Sequence, residues 1–311
     1  MAVKKELSRK KNKISGREWQ WIQMSIIPVL HTFLFCYCTL YGLLIAFKDY
    51  KYSRGIWGSK WVGFDNFKFF VLSNDCLRLV KNTLSLNVLF IATLTVAEIA
   101  LAIVFYELLS RKALKAYQTI LITPNFISWV VVGYVVYAFL NPQYGIINSV
   151  LQQFGLKPIQ FYEKAALWPG ILNMAQIWKN VGMGCIIYYA TLMGIDSSLF
   201  EAARIDGTTK WQEIKYITLP MLTNLIVLQL IMKIGGIFSS DFGLFYQLTR
   251  DSGSLYATTD VIDTYLYRTM RVMGNMKLSS AVGFLKAVVS FGLVYLTNAV
   301  VRKIDDEASL F

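Results

Sequence analysis

The chain has 311 residues, 55% of them hydrophobic and 16% charged, with a formal net charge of +12 and a mean hydropathy of +0.46. Ordinary soluble domains carry about 25% charged residues, so this balance excludes a soluble globular enzyme and points to a chain that lives mostly in lipid. The positive charge does not imply nucleic acid, because much of it crowds into an N-terminal tail where membrane topology and anionic lipid account for it.

Residues 1–20 form that tail, in which Lys4, Lys5, Arg9, Lys10, Lys11, Lys13 and Arg17 face only Glu6 and Glu18. Positive charge beside a first span favours the cytoplasm, which places the N-terminus inside. A helix needs about 20 mostly apolar residues to cross a hydrocarbon core of about 30 Å, since every backbone amide must be satisfied within the segment. Six runs qualify: 21–47, 83–106, 116–140, 167–193, 219–238 and 278–301. The first is too long for the core of a cleaved signal and is followed by no small-residue cleavage site, so it is expected to remain as a helix. Pro124 lies inside the third, where a missing backbone donor and a steric clash predict a kink. The segment 48–82 holds seven basic residues yet would lie outside; it is long enough to form structure of its own, and the charge rule weakens there. Six spans return the tail 302–311 and the loop 195–218 to the side of the N-terminus. The expected fold is therefore all-α: a polytopic membrane domain over 21–301 between two cytoplasmic tails.

Little in the chain can do covalent chemistry. Cys36, Cys38, Cys76 and Cys185 lack metal-ligand spacing, there is one histidine, and no carboxylate cluster is evident. A phosphate-binding G-x-x-x-x-G-K-[ST] loop is absent too. The chain is expected not to be an enzyme, and to hold no metal or cofactor.

The loop 195–218 is too polar for lipid and too regular for a simple turn. Ser197 and Ser198 can cap a helix that brings Glu201 into its first turn, where a carboxylate suits the helix dipole. Ala202 and Ala203 are small enough for another backbone to come close. Asp206-Gly207 ends the helix, because glycine accepts the positive φ of a C-cap. A second short helix starting near Thr208 or Thr209 presents Trp211, Ile214 and Ile217 on one side before Pro220 opens the fifth span. Spacing alone is equally compatible with an interfacial hairpin resting in the headgroups.

The pattern Glu201, Ala202, Ala203, Asp206, Gly207, Trp211, Ile217, Leu219 and Pro220 resembles the EAA loop of ABC-importer permeases, with Thr208 where alanine is usual and Ile214 where phenylalanine is common. Three further stretches are similar to the carbohydrate-type members, including the maltose, glycerol-phosphate and polysaccharide permeases: Gly63-Phe64-Asp65-Asn66-Phe67, the run from Asn141 to Asn148, and the run from Ile177 to Gly182. The resemblance implies a type I importer permease fold with a cytoplasmic coupling helix, in a bacterial plasma membrane with both termini inside. It further implies a second permease chain, two ATP-binding subunits that hold the ATP and magnesium, and an external solute-binding lipoprotein that delivers a carbohydrate. Glu201, Ala202, Ala203, Asp206, Gly207 and Trp211 would then dock the ATPase.

Ionisable groups at membrane depth mark a pathway or a pair. Glu98, Lys179, Lys233, Lys286 and His31 lie in the spans; His31 and Glu98 have similar depth, and Lys179 near mid-span is the better partner for Glu98. Sugars bind aromatic faces with amide and hydroxyl groups at the rim, which selects Trp178, Asn180, Tyr188, Asp241 and Glu98 as solute-pathway candidates. A different class remains open: an ion-coupled secondary transporter with Glu98 or Lys179 carrying the proton, or a membrane scaffold that transports nothing. Neither would need the Glu201 loop.

Overall fold

The computed structural model describes residues 16–108 and 110–304. The basic tail 1–20 falls largely outside those residues, as does most of 302–311. Helix α1 (Gly16–Thr32) continues through a π turn (Phe33–Tyr37) and a 3-10 stretch (Cys38–Phe47). Its last part, the 3-10 stretch, packs on the bundle, chiefly against the final helix. Trp21, Ile22, Ile27, Leu30 and Phe33 are exposed. The chain then forms a two-residue antiparallel ladder, β1 (Lys48–Asp49) with β2 (Lys60–Trp61). The Asn66 amide donates to the carbonyls of Ala46 and Lys48, and Phe47, Phe64, Phe67 and Phe284 pack ring on ring. This fastens helix α2 (Asp65–Val71) beneath the end of the first span and gives the Gly63–Phe67 motif its structural meaning.

Helix α3 (Asn74–Glu107) starts well before the expected span. Its polar first turns are held inside the protein: the amide of Asn82 donates to carbonyls of Tyr256, Ala257 and Asp260. The third span is not kinked but broken. Helix α4 (Arg111–Ile122) passes into a 3-10 turn (Thr123–Phe126), and α5 (Trp129–Leu140) leaves at 98°. Pro124 alone would bend a helix less; here Ile127 and Ser128 are both extended, and the Ser128 hydroxyl accepts from the Val131 amide to cap α5.

Short helix α6 (Ile146–Gln153) is anchored by Asn148, whose amide donates to the carbonyls of Asn141, Pro142 and Ile159. Helix α7 (Trp168–Leu192) lies along α3. After it come α8 (Ser197–Ile205), α9 (Lys210–Glu213), a π turn (Ile214–Thr218) and α10 (Leu219–Gly235). Helices α11 (Phe242–Thr249) and α12 (Ile262–Tyr267) precede the long α13 (Met276–Ile304).

Among the described residues, four helical stretches are long and apolar enough to cross a membrane: Trp19–Phe47, Asn74–Glu107, Lys210–Gly235 and Met276–Ala299. The number reaches six if each of two bent pairs, α4 with α5 and α7 with α8, is one span. Much of the apolar surface of these helices faces outward, as it does where the surrounding medium is lipid and not water.

Candidate functional site

The Asp196 carboxylate, not a serine, caps α8 by accepting from the Ser198 amide at 3.0 Å. That hydrogen bond from Ser198 holds the Asp196 carboxyl below its usual range. With Asp196 as the cap, Glu201 falls in the second turn, beyond the free amides of the helix start, so the expected match to the dipole is not made. The break at Asp206-Gly207 is present. The Gly207 amide bonds to the Arg204 carbonyl and the Thr208 amide to the Ala203 carbonyl, each at 3.1 Å, with Gly207 at φ 78°; this is a Schellman C-cap. Thr209 starts the next helix through a reciprocal capping box with Gln212. That helix does not lie flat on the surface. It runs through the π turn into α10, so the second half of the hairpin is the foot of the fifth span.

Glu201, Ala202, Asp206, Gly207 and Trp211 are all exposed, Trp211 by 72%, whereas Ala203 is half-buried. Phe200 is the buried anchor, its ring tilted against Tyr106 with centres 5.7 Å apart. A residue outside the motif holds the hairpin. Glu213 is 3% exposed and accepts from Arg204 Nε at 3.1 Å and Lys210 Nζ at 3.0 Å. Lys210 also reaches Glu107, at the end of α3, at 3.0 Å. Glu213 thereby ties α8 to the base of the fifth span, and Lys210 ties that base to the end of the second. The Thr209-x-x-Gln212 spacing signals the cap in the sequence; nothing in the sequence signals a pairing of Arg204 with Glu213.

The polar groups in the bundle pair differently from expectation. Glu98 is 4% exposed and accepts from Lys233 Nζ at 2.8 Å, and Lys233 also donates to Thr95 at 3.1 Å. Lys179 is not its partner. The Lys179 ammonium donates to the carbonyls of Pro124, Asn125 and Ile127 where the third span breaks, the Pro124 carbonyl also accepting from the Ile127 amide, and lies 5.3 Å from the Trp129 ring centre. His31 packs tilted against Phe35, with ring centres 4.8 Å apart, and Glu98 takes Lys233 instead as its partner. Lys286 pairs with Asp263.

The solute-pathway candidates do not converge on one site. Asn180 joins the bend by accepting from Asn125 Nδ2 at 3.1 Å. Tyr188 is 1% exposed, packed among Ala102, Phe105, Leu192 and Leu222, with an unpartnered hydroxyl. Asp241 caps α11 and accepts from Trp129 Nε1 at 2.6 Å. Trp178 is 48% exposed. Beside the Glu98–Lys233 pair, a cleft of about 230 Å³ opens between α3, α7 and α10, lined by Asn87, Phe90, Leu94, Gln176, Lys233 and Ser239. The buried Gln176 Oε1 has no hydrogen-bond partner.

Residues 98–307 match the family described as "Binding-protein-dependent transport system inner membrane component". The chain is 34% identical to Protein LplB of Bacillus subtilis (strain 168), over 93% of this chain and 90% of that protein. It is 33% identical to the polygalacturonan/rhamnogalacturonan transport system permease protein YteP of the same organism, over 97% and 94%. A chain in the crystal structure of a bacterial ABC transporter involved in import of the acidic polysaccharide alginate superposes with a TM-score of 0.85, at 33% identity and covering 93% of this chain and 97% of that one. A second structure, of a bacterial alginate ABC transporter in complex with an alginate pentasaccharide-bound periplasmic protein, gives 0.83.

Proposed function

The chain belongs to the family of binding-protein-dependent transport system inner membrane components, and from that premise we propose that it is the membrane-spanning permease subunit of an ATP-driven importer of oligosaccharides. The similarity to permeases named for pectic and alginate polysaccharides supports a carbohydrate solute. With no phosphate-binding loop in the chain, ATP and magnesium belong to a partner ATPase and the chain itself is not an enzyme.

The observation that carries this reading is the hairpin. Glu201, Ala202, Asp206, Gly207 and Trp211 are exposed, while Glu213 and Lys210 together fix their backbone to the ends of two spans. An exposed aromatic on a rigid, membrane-anchored element suits a second protein better than headgroups, which need no such anchoring. Closure of the ATPase pair would push the hairpin, and the spans joined to it, between inward- and outward-open states. The unpartnered length of α1 supports a second permease chain as neighbour. An external solute-binding protein would deliver the sugar, and the cleft beside Glu98 and Lys233, lined by Asn87, Gln176 and Ser239, is the route we assign to the solute; Trp178, Asn180, Tyr188 and Asp241, which the sequence proposed for it, do not line that cleft. In this arrangement both tails and the loop 195–218 face the cytoplasm of a bacterial cell.

The test is Gly207→Val and Glu201→Lys in the assembled transporter. Both variants should reach the membrane and co-purify with a second permease, while oligosaccharide uptake and solute-stimulated ATP hydrolysis fall together by about fivefold or more. Unchanged uptake with normal ATPase co-purification in either variant would reduce the hairpin to an interfacial ornament.

A further inference from the structure

Between α5 and α11 lies a cleft of about 180 Å³ separate from the one beside Glu98, lined by Gly133, Tyr134, Tyr137, Tyr246, Gln247 and Arg250. Gly133 sets the approach of its two walls, because a Cβ there would stand 2.9 Å from the Gln247 carbonyl oxygen. At the end of α11 the chain turns through Arg250 (φ 55°) and Asp251 (φ 48°), two successive non-glycine residues in the left-handed region. Glycine is the usual occupant of such a helix-end position, and an arginine there directs attention to its side chain. The turn sends the two side chains apart. Asp251 accepts from Arg268 at 2.9 Å and from the Tyr256 hydroxyl at 3.0 Å. The Arg250 guanidinium lies over the Tyr137 ring at 4.1 Å, in a cleft that no carboxylate lines among the described residues. Tyr137 is itself backed by Tyr162 at 5.6 Å.

We propose that this cleft is a subsite for one carboxylate-bearing sugar ring, a uronate unit of the transported oligosaccharide; the assignment rests on the carbohydrate-import reading and narrows it to acidic chains. A guanidinium seated over an aromatic ring, with no carboxylate lining its cleft, has N–H donors to offer in a bidentate bond to a planar carboxylate. Tyrosine rings offer flat apolar surface to the C–H face of a pyranose, and their hydroxyls, with the Gln247 amide, meet the ring hydroxyls. The volume suits one ring of a chain passing through. A neutral sugar would leave the guanidinium without its anion, so the site discriminates by charge.

The experiment uses membrane vesicles holding the complete transporter and its binding protein, with two probes: trigalacturonate and the neutral trimer obtained from it by carboxyl reduction. The same binding protein serves every form, so its own preference cancels when variants are compared. The native transporter should favour the acidic trimer. Arg250→Gln should lower the ratio of acidic to neutral uptake about tenfold, and Arg250→Lys, a point charge without the fork, should restore part of it. An unchanged ratio in Arg250→Gln overturns the assignment, as does loss of the second permease from the purified complex, which would place Arg250 in a subunit contact. Native uptake of the neutral trimer in preference to the acidic one would remove the subsite and leave carbohydrate import standing. Uptake of neither trimer nor any other oligosaccharide, with a non-sugar solute accepted, would remove the import reading itself.

Discussion

Glu213 is buried by the two cations it binds, and neither cation is buried with it: the side chains of Arg204 and Lys210 are 57% and 54% exposed. Removing the carboxylate therefore strands no charge in the interior, because Arg204 and Lys210 can turn to water. The loss should be one of position, about 1–2 kcal/mol in how firmly α8 is held to the foot of the fifth span. We expect Glu213→Gln to assemble normally and to hydrolyse ATP, but to import several-fold fewer solute molecules per ATP; an unaltered ratio of uptake to hydrolysis would show that the hairpin needs no such tie. Glu201 acts differently. Since it stands in the second turn and is exposed, charge reversal there alters the surface offered to a partner and leaves the helix itself intact. Gly207 has open space around its Cα, so Gly207→Val opposes the fold only through its positive φ, a penalty of about 1–2 kcal/mol.

Among elements, the broken third span depends most on its neighbour. A 98° turn frees carbonyls that a straight helix would satisfy, and α7 supplies what they lack. Lys179 donates to three carbonyls at the turn, Asn180 bonds Asn125, and Gly182 lets the chain at Leu121 come so close that a Cβ would stand 2.0 Å from its carbonyl oxygen. Two substitutions follow from this. Lys179→Met should remove the side-chain donor shared by the Asn125 and Ile127 carbonyls, Pro124 keeping the Ile127 amide, and lower stability by about 2–3 kcal/mol. Gly182→Ala should force α4 away from α7, at a cost of about 1–3 kcal/mol. Both should lower the thermal inactivation midpoint of the detergent-solubilised transporter. A Lys179→Met protein of native midpoint would show that water, not the ammonium, satisfies the bend. The same geometry weighs against Lys179 as a carrier of protons, since its ammonium is committed to backbone oxygens.

At the scale of the whole molecule, the hairpin and the α6 cap lie at opposite ends of the spans, which makes sidedness measurable. Ile205 and Tyr144 are 86% and 84% exposed and make better probes than Gly145, where a Cβ would meet the Asn141 carbonyl oxygen at 2.4 Å, or Lys210, which holds Glu213. Single cysteines at these two positions, in a background lacking the native four, should label from opposite faces of intact cells, position 144 from outside. Labelling of both from one face would break the six-span topology. Energy coupling separates the transporter classes: uptake should stop on ATP depletion and survive collapse of the proton gradient, whereas an ion-coupled carrier would behave in reverse.

Composition and runs of apolar residues were enough to establish that the chain spans a membrane, because the requirement that every backbone amide be satisfied in lipid is local and is written in consecutive residues. The helix–glycine–helix hairpin was legible for the same reason: a Schellman turn at Asp206-Gly207 and a capping box at Thr209 and Gln212 each involve residues at most five apart. Asn66 and Asn148 stood within stretches the resemblance singled out, although their bonds to carbonyls of the first span and of Ile159 appear only in three dimensions. What the sequence could not decide was pairing across the bundle. Depth along a span suggested Lys179 for Glu98, but depth says nothing about which face of a helix a residue occupies or which neighbour that face meets. Tertiary packing gave Glu98 to Lys233, 135 residues away. It assigned Lys179 to a bend that Pro124 could announce only as a kink, and made Glu213, which no motif marks, and its partner Lys210 the tie between three helices. Such choices depend on which helices lie side by side, and only the packed bundle determines that.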